Sequence, residues 1–334
     1  MKAKAINKVG AGKIVYWILF AVMLFPTEML SDTGKPLITP PIALFAGLLF
    51  AAIFGSPVAK FNKKTSKYLL QAAVVGLGFG MNLYKSLASG ADGMLFTIVS
   101  VAGVMLLGVM VGKWLAVDAK TSYLVSSGTA ICGGSAIAAI GGVLKADSNQ
   151  MAVSLGVVFI LNAVALFIFP PIGHMLDMSQ QQFGTWAAIA IHDTSSVVGA
   201  GQAYGAQACE VATLIKCTRA LWIIPLAFFT MWYFRKSAFG ADGVGKAKVN
   251  IPWFIVLFVL AMVINTYSPD SWQPFYTSFA SIAKKALTVV MFCIGAGLSL
   301  KVIKSVGVKP LVQALILWVA IGVASLLVVN ITIE

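Results

Sequence analysis

The chain has 334 residues, of which 59% are hydrophobic and only 10% are charged, and its mean hydropathy is +0.92. Soluble domains carry about 25% charged residues, so this composition indicates an integral membrane protein. The formal net charge of +13 does not indicate a nucleic-acid partner, because the basic residues lie in short connections between apolar runs. The four cysteines lack metal-ligand spacing, so no disulfide framework, metal site or other cofactor is expected.

Apolar runs of about the 20 residues that a bilayer crossing needs recur along the chain. They predict an all-α polytopic membrane protein with about eleven transmembrane helices: Ile14–Leu30, Pro40–Phe54, Tyr68–Tyr84, Met94–Leu115, Tyr123–Leu144, Met151–Leu176, Phe183–Ala203, Ala208–Phe234, Pro252–Tyr267, Phe275–Leu300 and Leu311–Val329. Residues 1–334 are expected to form one transmembrane domain. Residues 1–35 supply an extra N-terminal helix, and 36–177 and 178–334 form two halves.

The charges between the runs alternate between two sides. One side receives the lysines of 2–13, 60–67, 113–120 and 301–309 and the basic residues of 235–248, whereas the other side holds only Lys35, Lys85 and Lys145. The positive-inside rule therefore predicts a cytoplasmic N-terminus and an external C-terminus. Charge does not distinguish full spans from re-entrant segments at 123–144 and 183–203, because both preserve the alternation.

The stretch Gly78–Leu83 in the third run is similar in sequence to Gly295–Leu300 in the tenth. Each follows a short run that opens with proline and precedes a long aliphatic one. The two runs point in opposite directions, which predicts inverted repeats with a site near the midplane between them. Asn82 and Ser299, the polar residues of these two similar stretches, are expected to support that site.

The fifth run contains small and hydroxyl residues around Gly133 and Gly134, which favour a break in the helix. The second half-helix would then offer free backbone N–H groups and a positive dipole end to an anion, with Thr129 and Ser135 as added donors. A small-residue packing face is the alternative. Cys132 as a nucleophile would need a base such as His192.

The seventh run carries consecutive polar residues, His192, Asp193, Thr194, Ser195 and Ser196, followed by glycines. Ionisable groups at membrane depth are costly and persist where they face a polar cavity, so this stretch predicts a second helix break at a substrate or coupling-ion site. The alternative is a His–Asp pair at a helix end near water.

Lys216 and Arg219 lie one helical turn apart in the eighth run. Two cations on one helix face need a counter-charge. An anionic substrate is one source, and a structural ion pair with Asp193 or Glu210 is the other.

The stretches SSGTAICGGSAIAA, IHDTSSVVGAGQA, IPWF and GAGLSLKVIKSVGVKPL, together with Lys216 and Arg219, resemble the bacterial YeiH-type family of sulfate exporters along nearly the whole chain. The resemblance implies an inner-membrane carrier with crossed broken helices, similar in plan to bile acid–sodium symporters. It implies motif positions at Gly128, Ile131, Cys132, Gly133, His192, Asp193, Val197 and Val198. Asp193 stands where relatives often have glutamate, and Ser195 and Ser196 stand where they often have alanine and glutamine.

Three functions follow as hypotheses. The first is a secondary carrier of a small sulfate-, sulfite- or sulfonate-like anion, coupled to protons or another ion through His192 and Asp193. The second is a cation–proton antiporter with Asp193 as ligand, and the third is a membrane enzyme using Cys132 and His192. The first is favoured, since cations outnumber carboxylates at membrane depth, and no enzymatic activity is expected. The expected substrate contacts are Thr129, Cys132, Gly133, Gly134, Ser135, His192, Asp193, Thr194, Ser195, Ser196, Lys216 and Arg219. Membrane lipid is an expected partner and a homodimer is left open.

Overall fold

The computed structural model describes residues 2–25, 37–235, 253–297 and 307–333. Over these residues the chain is helical, without a strand, and the expected all-α class is confirmed. The helices are α1 (Lys2–Leu24), α2 (Pro40–Phe54), α3 (Ala59–Gly78), α4 (Leu83–Trp114), α5 (Ala119–Ala130), α6 (Gly134–Val143), α7 (Ser148–Met175), α8 (Gln180–Ala190), α9 (Thr194–Tyr204), α10 (Ala206–Ala220), α11 (Ile223–Arg235), α12 (Trp253–Tyr267), α13 (Gln273–Gly297) and α14 (Val308–Thr332). A short 3-10 turn, Asp270–Trp272, precedes α13.

Five of these segments are long and apolar enough to cross a membrane: Thr97–Trp114, Ser148–Met175, Ala206–Phe234, Asp270–Gly297 and Val308–Thr332. Shorter apolar helices are Gly10–Leu24, Pro40–Phe54, Gly134–Val143 and Trp253–Tyr267. A multi-pass membrane protein is therefore supported, whereas the predicted count of eleven spans is not confirmed.

The expected loop before the third predicted span is wrong. The segment containing Lys60–Lys67 was expected to be a loop, but it forms the first turns of α3. Lysine is a good helix former, so a helix can continue past its apolar part where the ammonium groups reach water. The expected basic loops at 236–248 and 301–304 lie outside the described residues.

The α5–α6 pair is a helical hairpin, because its two ends meet. Lys120 Nζ donates to the Lys145 carbonyl oxygen at 3.5 Å. Just outside the pair, Gln150 Nε2 donates to Asp118 Oδ2 at 3.0 Å. Asp118 also caps α5 by accepting the Thr121 N–H, so one carboxylate fixes both the start of α5 and the base of the hairpin.

The α8–α9 pair is a second hairpin. The Tyr204 hydroxyl donates to the Met178 carbonyl at 2.5 Å, and Gln180 Oε1 accepts the Gln207 N–H at 3.0 Å. The 28-residue α7 lies between the two hairpins and is about 42 Å long, so their bases lie at opposite ends of the molecule. Segments 123–144 and 183–203 therefore fold back on themselves instead of continuing as single straight helices. The predicted breaks are present, but the broken segments fold back as hairpins instead of forming the crossed broken helices that the resemblance implied.

The helices form two groups. One, the α13 bundle, consists of α1, α2, α3, α12 and α13, with α13 packed along α2 and α3. The other, the hairpin bundle, consists of α4–α11 and α14, in which α10 packs on α8 and α9 and α14 packs on α5 and α8. The bundles meet chiefly where α9 lies against α13 and α2.

Candidate functional site

The tips of the two hairpins meet. Ile131–Gly133 connects α5 to α6, and Ile191–Asp193 connects α8 to α9. Gly133 lies directly against Asp193, since a Cβ placed on Gly133 would be 3.3 Å from the Asp193 Cβ. The φ of Gly133 is +64°, with ψ −122°, a conformation essentially reserved for glycine. The two predicted helix breaks therefore lie next to each other in the structure.

The C-terminal end of α8 is capped by Lys216 of α10. Its ammonium donates to the carbonyl oxygens of Ile191 at 2.6 Å and Ala188 at 3.2 Å. The last carbonyls of a helix lack intrahelical partners and carry the negative end of its dipole, so a cation satisfies both demands.

The C-terminal end of α5 is capped in the same way by Arg219, one turn further along α10. Its Nε and Nη2 donate to the Ala130 carbonyl oxygen at 2.9 and 2.6 Å, and Nη1 donates to Ser100 Oγ at 3.0 Å. Both cations are fully buried. Their hydrogen bonds go to helix ends and one hydroxyl, not to a carboxylate, so the hydrogen bonds do not form the structural ion pair with Asp193 or Glu210 that was one alternative. Their charges nevertheless lie just behind the hairpin tips.

The N-terminal ends of α6 and α9 differ from each other. Asp193 caps α9: its Oδ2 accepts the Ser195 N–H at 3.1 Å and the Ser195 hydroxyl. The Asp193 N–H donates to Asn162 Oδ1 of α7 at 3.1 Å, which fixes this tip against α7. By contrast, the N-cap residue of α6, Gly133, has no side chain to cap it, and the Cys132 sulfur approaches only the Ala136 N–H of the first turn. An N-terminus of this kind favours an anion.

A small cavity lies beside the second tip, where the two bundles meet. It is lined by Asn162, Asp193, Ser195 and Ser196 of the hairpin bundle and by Leu44, Met291 and Ile294 of the α13 bundle. Its volume of about 20 Å³ is enough for about one water molecule. The structure therefore holds this location closed to larger molecules.

Several buried polar atoms around the tips have no hydrogen-bond partner. They are Thr129 Oγ1, Asn162 Nδ2, both ring nitrogens of His192 and Trp318 Nε1. The His192 and Trp318 rings are 6.4 Å apart. The Trp318 indole N–H can only donate a hydrogen bond. Asn162 Nδ2 is also a donor, because Oδ1 of the same amide already accepts the Asp193 N–H. Unpaired buried donors cost free energy, so these groups fit a ligand that accepts hydrogen bonds.

Cys132 is buried at the first tip, where its sulfur interacts with the Ser135 hydroxyl and the Ala136 N–H. A catalytic pair would require a hydrogen bond from this thiol to a base. The His192 nitrogens have no such partner, so the geometry does not support the nucleophile–base hypothesis.

Most of the expected site residues are brought together. Thr129, Cys132, Gly133, Gly134 and Ser135 lie at the first tip, whereas His192, Asp193, Thr194, Ser195 and Ser196 form the second. Asn82 instead lies in the turn before α4, where its Oδ1 accepts the Tyr84 N–H. Ser299 lies outside the described residues.

Sequence reasoning missed Asn162 and Trp318. Asn162 lies in the apolar part of α7, which holds no other amide after Gln150, and a polar residue at membrane depth is a signal that could have found it. Trp318 carried no such signal, because an indole in an apolar helix is common. Ser100 was also missed, since its partner Arg219 is 119 residues away.

Comparison with known proteins gives a consistent result. The family model described as conserved hypothetical protein 698 matches residues 16–314. The chain is 60% identical over 290 residues to a UPF0324 membrane protein of Bacteroides thetaiotaomicron, covering 86% of each chain. It is 57% identical to one of Porphyromonas gingivalis, again covering 86% of each. With one of Bdellovibrio bacteriovorus it shares 40% identity over 97% of this chain and 96% of the relative. No solved structure matches the chain.

Proposed function

Because the chain belongs to the UPF0324, or YeiH-type, family of membrane proteins, we propose that it is a secondary transporter of a small anion in the bacterial inner membrane. The anion is of the sulfate, sulfite or sulfonate type and binds between the hairpin tips. The N-terminus is cytoplasmic and the C-terminus periplasmic.

The observation that carries this proposal is the set of unpaired donors beside the tips. Asn162 Nδ2 and Trp318 Nε1 can only donate, and two buried cations, Lys216 and Arg219, lie behind the same tips, which carry one carboxylate, Asp193. The N-terminal end of α6 adds a positive dipole. Donors and positive charge together favour an anion.

The arrangement of the hairpins supports transport by alternating access. The two hairpins enter from opposite ends, as inverted repeats require. Glycines of the two similar stretches, Gly78–Leu83 and Gly295–Leu300, also make equivalent contacts. Gly78 of α3 lies against the Phe258 carbonyl of α12, and Gly295 of α13 lies against the Leu44 carbonyl of α2. Since the small cavity beside the second tip is closed to molecules larger than water, a substrate enters only when the two bundles move relative to each other.

A cation–proton antiporter is the second candidate, because Asp193 offers a carboxylate at the tip. Its Oδ2 is already engaged by the start of α9, which makes it a weaker cation ligand than an uncommitted carboxylate. The two candidates predict opposite effects of one substitution.

We expect Asn162→Asp to weaken anion binding by at least about tenfold. The aspartate keeps the acceptor for the Asp193 N–H but replaces the free amide donor by a negative oxygen, and a hydrogen bond to a charged group contributes about 1.5–3 kcal/mol. Calorimetry of the purified protein with sulfate, sulfite and methanesulfonate measures the effect. Asn149→Asp is the matched control, since it makes the same change at the exposed start of the same helix.

Unchanged anion affinity in Asn162→Asp would remove the hairpin tips as the anion site. New or tighter binding of sodium in this variant, without anion binding by the wild type, would favour the antiporter instead.

Proton coupling is assigned to His192 and Asp193. Protonation of either adds positive charge at the tip, so anion affinity is expected to rise as pH falls from about 8 to 6. The double variant His192→Gln, Asp193→Asn is expected to flatten this dependence while asparagine still caps α9. The control is His174→Gln, which alters the histidine stacked on Tyr204 at the hairpin base. Equal slopes in the double variant and wild type, measured by calorimetry, would exclude both residues from coupling.

A further inference from the structure

A second and larger cavity lies between the bundles, away from the hairpin tips. Its volume is about 250 Å³, which accommodates a small organic molecule. Glu210 of α10 lines it from the hairpin bundle, and Lys284 of α13 lines it from the α13 bundle. The cavity therefore presents one negative and one positive side chain on opposite walls.

The remaining polar lining belongs to Thr277 and Ser281, on the same face of α13 as Lys284. The Thr277 hydroxyl donates to the carbonyls of Gln273 and Pro274, and the Ser281 hydroxyl donates to the Thr277 carbonyl at 2.9 Å. Because their protons are directed to backbone oxygens, both hydroxyls offer lone pairs to a ligand. Lone pairs and a carboxylate suit an ammonium group, whereas the Lys284 ammonium suits an acid group.

An apolar barrier separates this cavity from the hairpin tips. Leu77 and Cys209 line the cavity and belong to a buried cluster with Val198 and Leu287. Leu287 lies on α13 between Lys284, which lines this larger, outer cavity, and Met291, which lines the small cavity beside the second tip. Seven residues of helix, about 10 Å, therefore connect the two cavities along one face of α13.

We propose that the cavity between Glu210 and Lys284 binds a small zwitterionic sulfonate, an aminoalkanesulfonate, on the path to the hairpin tips. The acid group binds Lys284, and the ammonium group binds Glu210 with the hydroxyls of Thr277 and Ser281. The ligand thus bridges the two bundles. This rests on the proposed function for the path and deepens it by naming the substrate class.

The test compares 2-aminoethanesulfonate with two probes that each lack one charge, isethionate and ethylammonium. Calorimetry of the full-length protein is expected to show binding of the zwitterion at least about tenfold tighter than either probe, because each probe lacks one of the two charge-assisted contacts. Lys284→Gln is expected to weaken zwitterion binding about tenfold, and Glu210→Gln to abolish the preference over isethionate. The neighbouring Lys285→Gln is the control, since Lys285 does not line the cavity.

Thiol labelling gives a second measurement that does not depend on charge variants. Ser281→Cys places an accessible thiol in the cavity, whereas the four native cysteines are buried. The zwitterion is expected to slow alkylation of this thiol, and neither single-charge probe is expected to do so. Ser278→Cys, exposed on the same helix but outside the cavity, is expected to react at one rate throughout.

Equal affinity for isethionate and the zwitterion, equal weakening by Lys285→Gln and Lys284→Gln, or alkylation of Ser281→Cys without protection would each overturn the proposal. The proposed function fails separately, through Asn162→Asp at the hairpin tips, because that substitution leaves the outer cavity intact.

Discussion

Arg219→Leu is expected to destabilise the protein by about 3 kcal/mol. Leucine fills much of the space but leaves the Ala130 carbonyl at the end of α5 without its two donors and Ser100 Oγ without the donor that it accepts from. An unsatisfied buried group costs about 1–3 kcal/mol, and the bonds lost here are charge-assisted. Arg219→Lys is expected to recover only part of the loss, since a point charge does not reproduce the planar fork of arginine.

Thermal unfolding of the purified variants in detergent measures this effect. Lys113→Leu is the control, because it removes one cation from an exposed position at the end of α4 and is expected to change stability by less than about 0.5 kcal/mol. Wild-type stability combined with lost anion binding in Arg219→Leu would show that the guanidinium acts on the substrate rather than on the helix end.

Gly133→Ala is expected to abolish anion binding and to destabilise the protein by about 1–3 kcal/mol. Its positive φ is strained for any L side chain, and the new methyl group would lie 3.1 Å from Val158 Cγ1 and 3.3 Å from Asp193 Cβ. Because these neighbours belong to α7 and the second tip, relief of the contact separates the two hairpins.

Gly134→Ala is the matched control for this substitution. Gly134 begins α6 with helical geometry, and its nearest neighbour would be a flexible Leu155 methyl group at 3.4 Å, an ordinary contact. We expect Gly134→Ala to bind anion as the wild type does. Equal loss of binding in both variants would mean that small size, rather than the backbone conformation of Gly133, matters at this tip.

The amino-acid sequence by itself determined the membrane class, the helical content and the positions of both breaks. These properties are local. Hydropathy over about 20 residues identifies a membrane helix, and the consecutive glycines at 133–134 or the polar residues at 192–196 weaken a helix wherever it lies in the fold. The residues of both tips could therefore be predicted without a structure.

Only the tertiary structure decided how the chain continues after each break. A span and a hairpin have the same apolar composition, and two hairpins leave the basic residues up to Lys120 and from Arg235 on the expected sides; only Lys145 changes side, to that of Lys120. The difference lies in the backbone dihedral angles of Gly133 and in contacts at the hairpin base such as Lys120 with Lys145. The hydrogen-bond partners of Lys216 and Arg219 could likewise not be predicted from the sequence. Their partners, the carbonyls of Ile191 and Ala130, are backbone atoms that every residue carries, so no residue type marks them in a sequence. Hydropathy and spacing describe neighbours along the chain, whereas these bonds join residues brought together only when the helices pack.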